Sequence, residues 1–239
     1  MQKFWPDSFD LPKPMNALVP MWMRRRLAED YAMKSLKATW EPNVMNFMRE
    51  IRGRLFVDIG ANVGIYATLL EHNFDRIIAI EADPMVYDRL QKLCPSNCKP
   101  LNVLVSNIEE EVSFYRKLPS SENGTDLKDL AWGSWAGSIY PANKQEWTPN
   151  AQTEEEIRLP SSRLATILAK EAVVDLVKVD VEGAEWLVLE GAEPIMSKIK
   201  CWVVELHEPH RSLELETRMR KYGYNKIEWL DTSHIASQR

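Results

Sequence analysis

Apolar positions recur along the chain in two rhythms. Continuous apolar runs of strand length occupy residues 55–59, 76–81, 100–106, 173–180 and 201–207. Runs of that length suit strands buried on both faces of a parallel sheet. Between them, apolar residues fall at helical spacing over residues 63–70, 84–93, 185–190 and 212–222. A helix opening at Trp40-Glu41-Pro42 is predicted ahead of the first strand, with Pro in its first turn and Val44, Met45, Phe47, Met48 and Ile51 on its apolar face. Residues 111–116 read as a strand in a hairpin, 157–159 as a short strand, 161–170 as a helix and 224–230 as a closing strand. Strands alternating with helices predict a mainly parallel, doubly wound α/β fold.

Two stretches break the rhythm. Residues 1–20 are rich in Pro and aromatics (Phe4, Trp5, Pro6, Phe9, Pro12, Pro14, Pro20) and read as an extended arm, followed by a helix over 21–39. Arg24, Arg25 and Arg26 in that helix read as a solvated face. Over residues 117–153, Ser, Asn, Gly and Pro increase, with Trp132, Trp135, Tyr140 and Trp147 among them. A loop of this length is functional or disordered, and its aromatics argue against disorder. It reads as a lid or substrate wall. The organisation expected is an N-terminal arm and helices over 1–50, packing on a domain over 51–239 that carries this insertion.

Composition narrows the function. A chain of 239 residues fits one large domain with accessory pieces. The net charge of -5 argues against a broad nucleic-acid footprint. Cys94, Cys98 and Cys201 do not make an even disulfide set and fit a reducing compartment. There is no signal-like start and no run of about 18 apolar residues, so no membrane span and a cytoplasmic location are expected.

The chemistry centres on the end of the first strand. Asp58-Ile59-Gly60-Ala61-Asn62-Val63-Gly64 is a strand, a glycine turn and a helix start. Glycines allow a sharp bend and close approach to a ligand, and amides at a helix start can receive an anionic group. The next strand ends in Glu81, about 20 residues past the turn, the offset of an acidic residue that holds ribose hydroxyls. The turn lacks the dinucleotide glycines: Asp58 and Val63 stand where the first and third would be. An acidic residue at the first position suits a cofactor with a cationic amino acid end, as S-adenosylmethionine has.

Four blocks carry a resemblance to the FkbM-type methyltransferases: residues 40–42, 56–64, 80–84 and 175–185, with 204–207 as a shorter fifth. Together they cover about residues 40–225. The resemblance implies a Rossmann-like fold with a seven-stranded sheet and an antiparallel last hairpin. It implies S-adenosylmethionine-dependent methylation of a hydroxyl on a sugar or other small metabolite, so the expected partner is a small acceptor such as a sugar or glycolipid. Ala82 stands where the family often has Pro, and Asn107 where an Asp often follows the third strand.

The cofactor residues expected are Asp58, Gly60, Ala61, Asn62, Gly64, Glu81, Ala82, Ser106, Asn107 and Asp180. Gly60 to Gly64 would hold the methionine end near Asp58, Glu81 the ribose, and Asn107 the adenine edge. The catalytic residues expected are Asp180, Glu182 and His207, with His207 or Asp180 as base, Glu182 orienting the acceptor and Glu205 supporting His207. No metal is assigned; the alternative is a divalent ion on Asp180, Glu205 and His207. Two rival readings remain: a nicotinamide-dependent oxidoreductase, opposed by the missing glycines, and a catalytically inactive nucleoside-binding protein, opposed by the retained strand-end carboxylates.

Overall fold

The computed structural model describes residues 41–117, 137–141 and 154–239. The arm and first helix predicted within 1–40, and Trp132, Trp135 and Trp147 of the insertion, lie outside them.

The described chain opens with α1 (Pro42–Glu50). It then runs β1 (Gly53–Ile59), α2 (Ile65–Leu69), β2 (Phe74–Glu81), α3 (Pro84–Leu93), β3 (Cys98–Asn102), β4 (Leu104–Ser106), β5 (Glu111–Lys117), β6 (Glu154–Arg163), α4 (Leu164–Ile167), β7 (Leu176–Val179), α5 (Glu185–Ala192), β8 (Cys201–Glu205), α6 (Ser212–Lys221), β9 (Lys226–Trp229) and β10 (His234–Gln238). Seven strands form one sheet in the order β3-β2-β1-β7-β8-β10-β9. β1, β2, β3, β7 and β8 are parallel, and β10 runs antiparallel between β8 and β9. This is the α/β, mainly parallel fold with an antiparallel last strand that the pattern and the resemblance imply.

Period-two alternation gives each strand two buried faces. Leu55, Val57, Ile59, Val177, Val179, Trp202, Val204 and Ile235 form a core on one face with α5 and α6. Phe56, Leu176, Val203 and Ala236 pack on the other against Val44, Met45 and Met48 of α1 and Tyr66, Ala67 and Leu70 around α2.

Three elements depart from expectation. The strand read over 100–106 is two strands. β3 ends where Asn102 donates its amide to the carbonyls of Glu81 and Ala82. β4 then leaves the main sheet and pairs with the end of β6. The helix read over 161–170 shrinks to Leu164–Ile167, because residues up to Arg163 continue β6, antiparallel to β5 and then parallel to β4. Tertiary pairing here overrides local spacing. The third departure is β10, which pattern reading did not find. It spans five residues and lies between β8 and β9, so its place depends on pairing on both sides. No helix among the described residues is long and apolar enough to cross a membrane.

Candidate active site

The carboxyl ends of β1, β2, β7 and β8 open on one edge, where open α/β sheets bind ligands. A cavity of about 220 Å³ lies there. Gly60, Ala61, Asn62, Glu81 and Ala82 line one part, Val103, Leu104, Val105 and Phe114 another, and Glu41, Tyr66, Lys178, Asp180, Glu182 and Glu205 a third. The three described non-glycine residues with positive φ, Glu41 (35°), Asn62 (50°) and Glu182 (52°), all line it. Such backbone costs on the order of 1–3 kcal/mol per residue and persists where the surroundings impose it, typically at functional sites.

Four amides of the turn after β1 are committed within the protein. Gly60 and Ala61 donate their amides to the Ile80 carbonyl, Asn62 to Glu81 and Gly64 to Ala61. These four are not the free amides expected of the turn, and α2, at five residues, is short. Gly60, at φ 77°, is required: a Cβ there would stand 1.7 Å from the Asp180 carbonyl oxygen. The turns after β1 and β7 thus touch through a glycine. Gly64 sets the start of α2 and does not line the cavity.

Glu81 accepts from the amides of Asn62 and Asp83, each at 2.9 Å. Burial pushes its carboxyl up to about 7, against the pull of these amides. Asp58 is fully buried and does not line the cavity, so it stands behind the turn and not at the amino acid end expected of it; neither of its oxygens has a hydrogen-bond partner. Burial raises it to about 6, opposed by Lys178 and reinforced by Asp180. The Asn62 side-chain oxygen is likewise buried and without a partner. These are acceptors in need of donors.

Ser106 and Asn107 stand elsewhere than the adenine site expected of them. Neither lines the cavity, because β4 turns under α5: Gly191 fits only as glycine, its Cβ position lying 2.1 Å from the Ser106 carbonyl oxygen. The Asn107 amide donates to Glu190 at 2.8 Å. Val103, Leu104 and Val105 provide the wall instead, and it is apolar.

On the sheet face under α1 and α2, the apolar layer ends in a charged row. Two residues toward the open edge from Phe56, Leu176, Val203 and Ala236 stand Asp58, Lys178, Glu205 and His234, one on each of four neighbouring strands. Asp58 faces Lys178 and Glu205 faces His234 in register. Lys178, only 1% exposed, donates to Asp180 at 3.1 Å and lies 4.4 Å from the Tyr66 ring centre. Burial opposes its charge, but Asp180, Asp58, Glu41 and Glu205 hold it protonated well above the usual lysine range. Asp180 is held below the usual carboxylate range: burial works against this, and Lys178 and His207 outweigh it.

His207 is clamped by carboxylates. Its Nδ1 is 2.8 Å from Glu185 Oε1, and its Nε2 is 3.4 Å from Glu182 and 3.9 Å from Glu205. Burial disfavours its charge, and Glu185, Glu182 and Glu205 more than reverse this, to about 10. A ring held on both nitrogens by carboxylates is a poor acceptor for a proton, so His207 fits an orienting role better than the base role expected of it. The metal alternative also shifts. The ligating atoms that cluster within 4.8 Å are those of Asp180, Glu182 and His207, while Glu205 groups with Glu41 and His234.

The returning end of the insertion completes the cavity. Ser138 bridges to Tyr115 of β5, and its hydroxyl donates to the Glu182 carbonyl at 2.7 Å. This places Gly137 and Ile139 in the wall. Tyr140 is 39% exposed and does not line it. Sequence reading missed Glu41, Tyr66, Glu185, Ser138 and His234. The period-two row ending in Asp58, Lys178 and Glu205 was a signal in the sequence; the partners of Ser138 and His234 were not.

Strand order and cavity place this chain among Rossmann-like α/β proteins with a ligand cleft at the carboxyl edge. The family model for the methyltransferase FkbM domain matches residues 58–226, and the chain belongs to that family. Among solved structures it is similar to a methyltransferase FkbM from Methylobacillus flagellatus KT, with 15% identity and TM-score 0.49 over 78% of this chain and 44% of that one. It is also similar to TrmK of M. capricolum, solved with S-adenosyl-homocysteine, at 12% identity and TM-score 0.42 over 81% and 66% of the two chains. A precorrin 8W decarboxylase from Methanobacterium thermoautotrophicum is similar at 13% identity and TM-score 0.43 over 83% and 88%. The chain thus spans under half the length of the first of these. No curated protein matches it in sequence.

Proposed function

We propose that the chain is an S-adenosylmethionine-dependent methyltransferase acting on a hydroxyl of a small acceptor, such as a sugar or glycolipid. The observation that carries this is the buried, unpartnered side-chain oxygen of Asn62 beside the Gly60 turn, with Glu81 at the end of the next strand, both residues lining the cavity. A cofactor with an ammonium at one end and a ribose at the other fits both. Gly60, Ala61 and Asn62 would hold its amino acid end, Glu81 its ribose, and Val103, Leu104 and Val105 the flat face of its base. S-adenosylmethionine supplies a methyl group on a positively charged sulfur.

The chain's own residues align the acceptor and take its proton. Asp180 lines the cavity at the end of β7, where Lys178 and His207 keep it charged against the effect of burial. It is therefore ionised at neutrality, and it is our base. Glu182, fixed by its strained turn and by Ser138, orients the acceptor hydroxyl. His207 and Glu185 keep Glu182 in place. In this reading the catalytic domain spans 51–239, residues 1–50 pack on it, and the insertion covers the acceptor.

The direct test is incubation with isotopically labelled S-adenosylmethionine and panels of sugars, glycolipids, peptides and RNA, read by mass spectrometry. Label on a hydroxyl of a small acceptor supports the reading. Label on RNA, or none on any panel, rejects the acceptor class.

Cofactor binding should depend on pH. Glu81 accepts from ribose hydroxyls at both oxygens only when it is ionised, and its carboxyl stands near 7. Its folded pKa is raised, so protonation competes with binding below that value. Affinity for S-adenosylhomocysteine should fall about tenfold per unit of pH below 7 and level off above it, by linkage. Glu81→Gln should flatten this profile. At pH 8 it should weaken binding about 5- to 150-fold, the effect of about 1–3 kcal/mol for polar groups left unpaired. Calorimetry between pH 5.5 and 8.5 checks both; a flat wild-type profile refutes the role of Glu81.

A further inference from the structure

His234 has no place in the methyl-transfer reading, yet it is 97% buried beside the acceptor end of the cavity, its side chain being 3% exposed. Its Nδ1 lies 3.0 Å from both carboxylate oxygens of Asp231. The Ser233 and His234 amides hold that carboxylate in turn, at 2.9 and 2.7 Å. Nδ1–H donating to Asp231 fixes the tautomer and points the Nε2 lone pair away, toward Glu41 and Glu205. Nε2 stands 3.4 Å from Glu41 Oε2 and 3.4 Å from Glu205 Oε2, and hydrogen-bonds to neither.

The spacing is informative. An imidazolium N–H committed to a carboxylate stands about 2.7–2.9 Å from it. Two ligand atoms each about 2.1 Å from a common ion, and about 109° apart, stand about 3.4 Å from one another. The ligating atoms of Glu41, Glu205 and His234 all lie within 4.8 Å of one another. A histidine whose far nitrogen is held by a carboxylate is the usual second layer of a metal site. Glu41, Glu205 and Asp231 surround the imidazole, with Lys178 as the neighbouring cation. Glu41 comes from the turn before α1, at φ 35°, and its other contact is the Tyr66 hydroxyl.

We propose that Glu41, Glu205 and His234 form a binding site for a first-row divalent cation, with Asp231 positioning His234. One imidazole and two carboxylates suit zinc or manganese, whereas magnesium and calcium take all-oxygen sets. The site is distinct from the Asp180, Glu182 and His207 group, and it borders the cavity through Glu41 and Glu205. An ion there would offer a Lewis acid at the acceptor end. The assignment does not depend on the acceptor or on the methyl-transfer reading.

The test uses the full chain stripped with chelator and titrated with zinc by calorimetry, and with cobalt by visible absorption. The expected result is one ion per chain, a raised melting temperature, a cobalt band showing nitrogen ligation, and no displacement by millimolar magnesium. Glu41→Gln and His234→Ala should each weaken zinc binding at least tenfold. Asp231→Asn should weaken it about 10- to 100-fold, as loss of a ligand's supporting partner does. His207→Ala should leave it in place. Glu41 and Asp231 are partly exposed, so their variants decide the matter if His234→Ala fails to fold. No binding by the wild-type chain would make the trio a plain ion-pair cluster and overturn the proposal. Binding that survives Glu41→Gln and Asp231→Asn but is lost in His207→Ala would place the ion on the other group and overturn it equally.

Discussion

Asp180→Asn is expected to lower kcat by about 10²–10⁴, the usual contribution of general acid–base catalysis, while S-adenosylhomocysteine binding persists. The carboxylate sits at the end of β7, in the wall of the cavity, with Lys178 at 3.1 Å. An amide in its place keeps the shape and loses the proton acceptor. It also removes the charge to which Lys178 donates, leaving Asp58, Glu41 and Glu205 around that ammonium, so the melting temperature should drop as well. That drop is why the decisive readout is the single-turnover rate at saturating cofactor. An unchanged rate would mean that catalysis is alignment alone and would remove Asp180 from the base role. His207→Ala is the companion measurement. Its ring is clamped by Glu185 and Glu182, so its loss should act through the placing of Glu182 and fall more on KM than on kcat.

Gly60→Ala is expected to abolish cofactor binding at any practical concentration and to destabilise the chain by about 2–5 kcal/mol. A left-handed alanine costs about 1–2 kcal/mol, and overpacking about 1–3 kcal/mol more. The added Cβ would stand 1.7 Å from the Asp180 carbonyl oxygen, in a residue whose amide donates to the Ile59 carbonyl, so neither turn can yield cheaply. At about 2–4 °C per kcal/mol for a chain of this size, the melting temperature should fall by about 4–20 °C. Thermal melting with and without S-adenosylhomocysteine checks both effects. A variant that melts as the wild type does would show that the two turns are not in contact. The same contact couples the two predictions, since anything that moves Gly60 moves the candidate base.

Much of this was legible in the sequence, and for identifiable reasons. Buried parallel strands need unbroken apolar runs, so β1, β2, β7 and β8 announced themselves, and each ends in or beside a charged residue where the sheet opens. The glycine turn after Asp58, Glu81 one strand later, and the 175–185 block pointed to the open edge and to the family without coordinates. What failed did so where pairing across the chain outweighed local pattern. The 161–170 segment has helical spacing, but residues to Arg163 are claimed by β5 and β4. Ser106 and Asn107 end a strand as expected, but that strand lies in the small sheet under α5, so they face Glu190 and Gly191 instead of the cavity.

The sequence by itself determined the sheet, its open edge and the residue types gathered there. It did so because burial on two faces and a period of two act locally. Only the tertiary structure decided which of those groups meet. Glu41, Glu205 and the Asp231–His234 pair come from three separate parts of the chain, and their distances are set by how α1 and β10 dock on the sheet. The same holds for protonation. His207 looked like a base because an isolated histidine titrates near neutrality. Two carboxylates from the β7–α5 turn, brought against it by folding, remove that capacity.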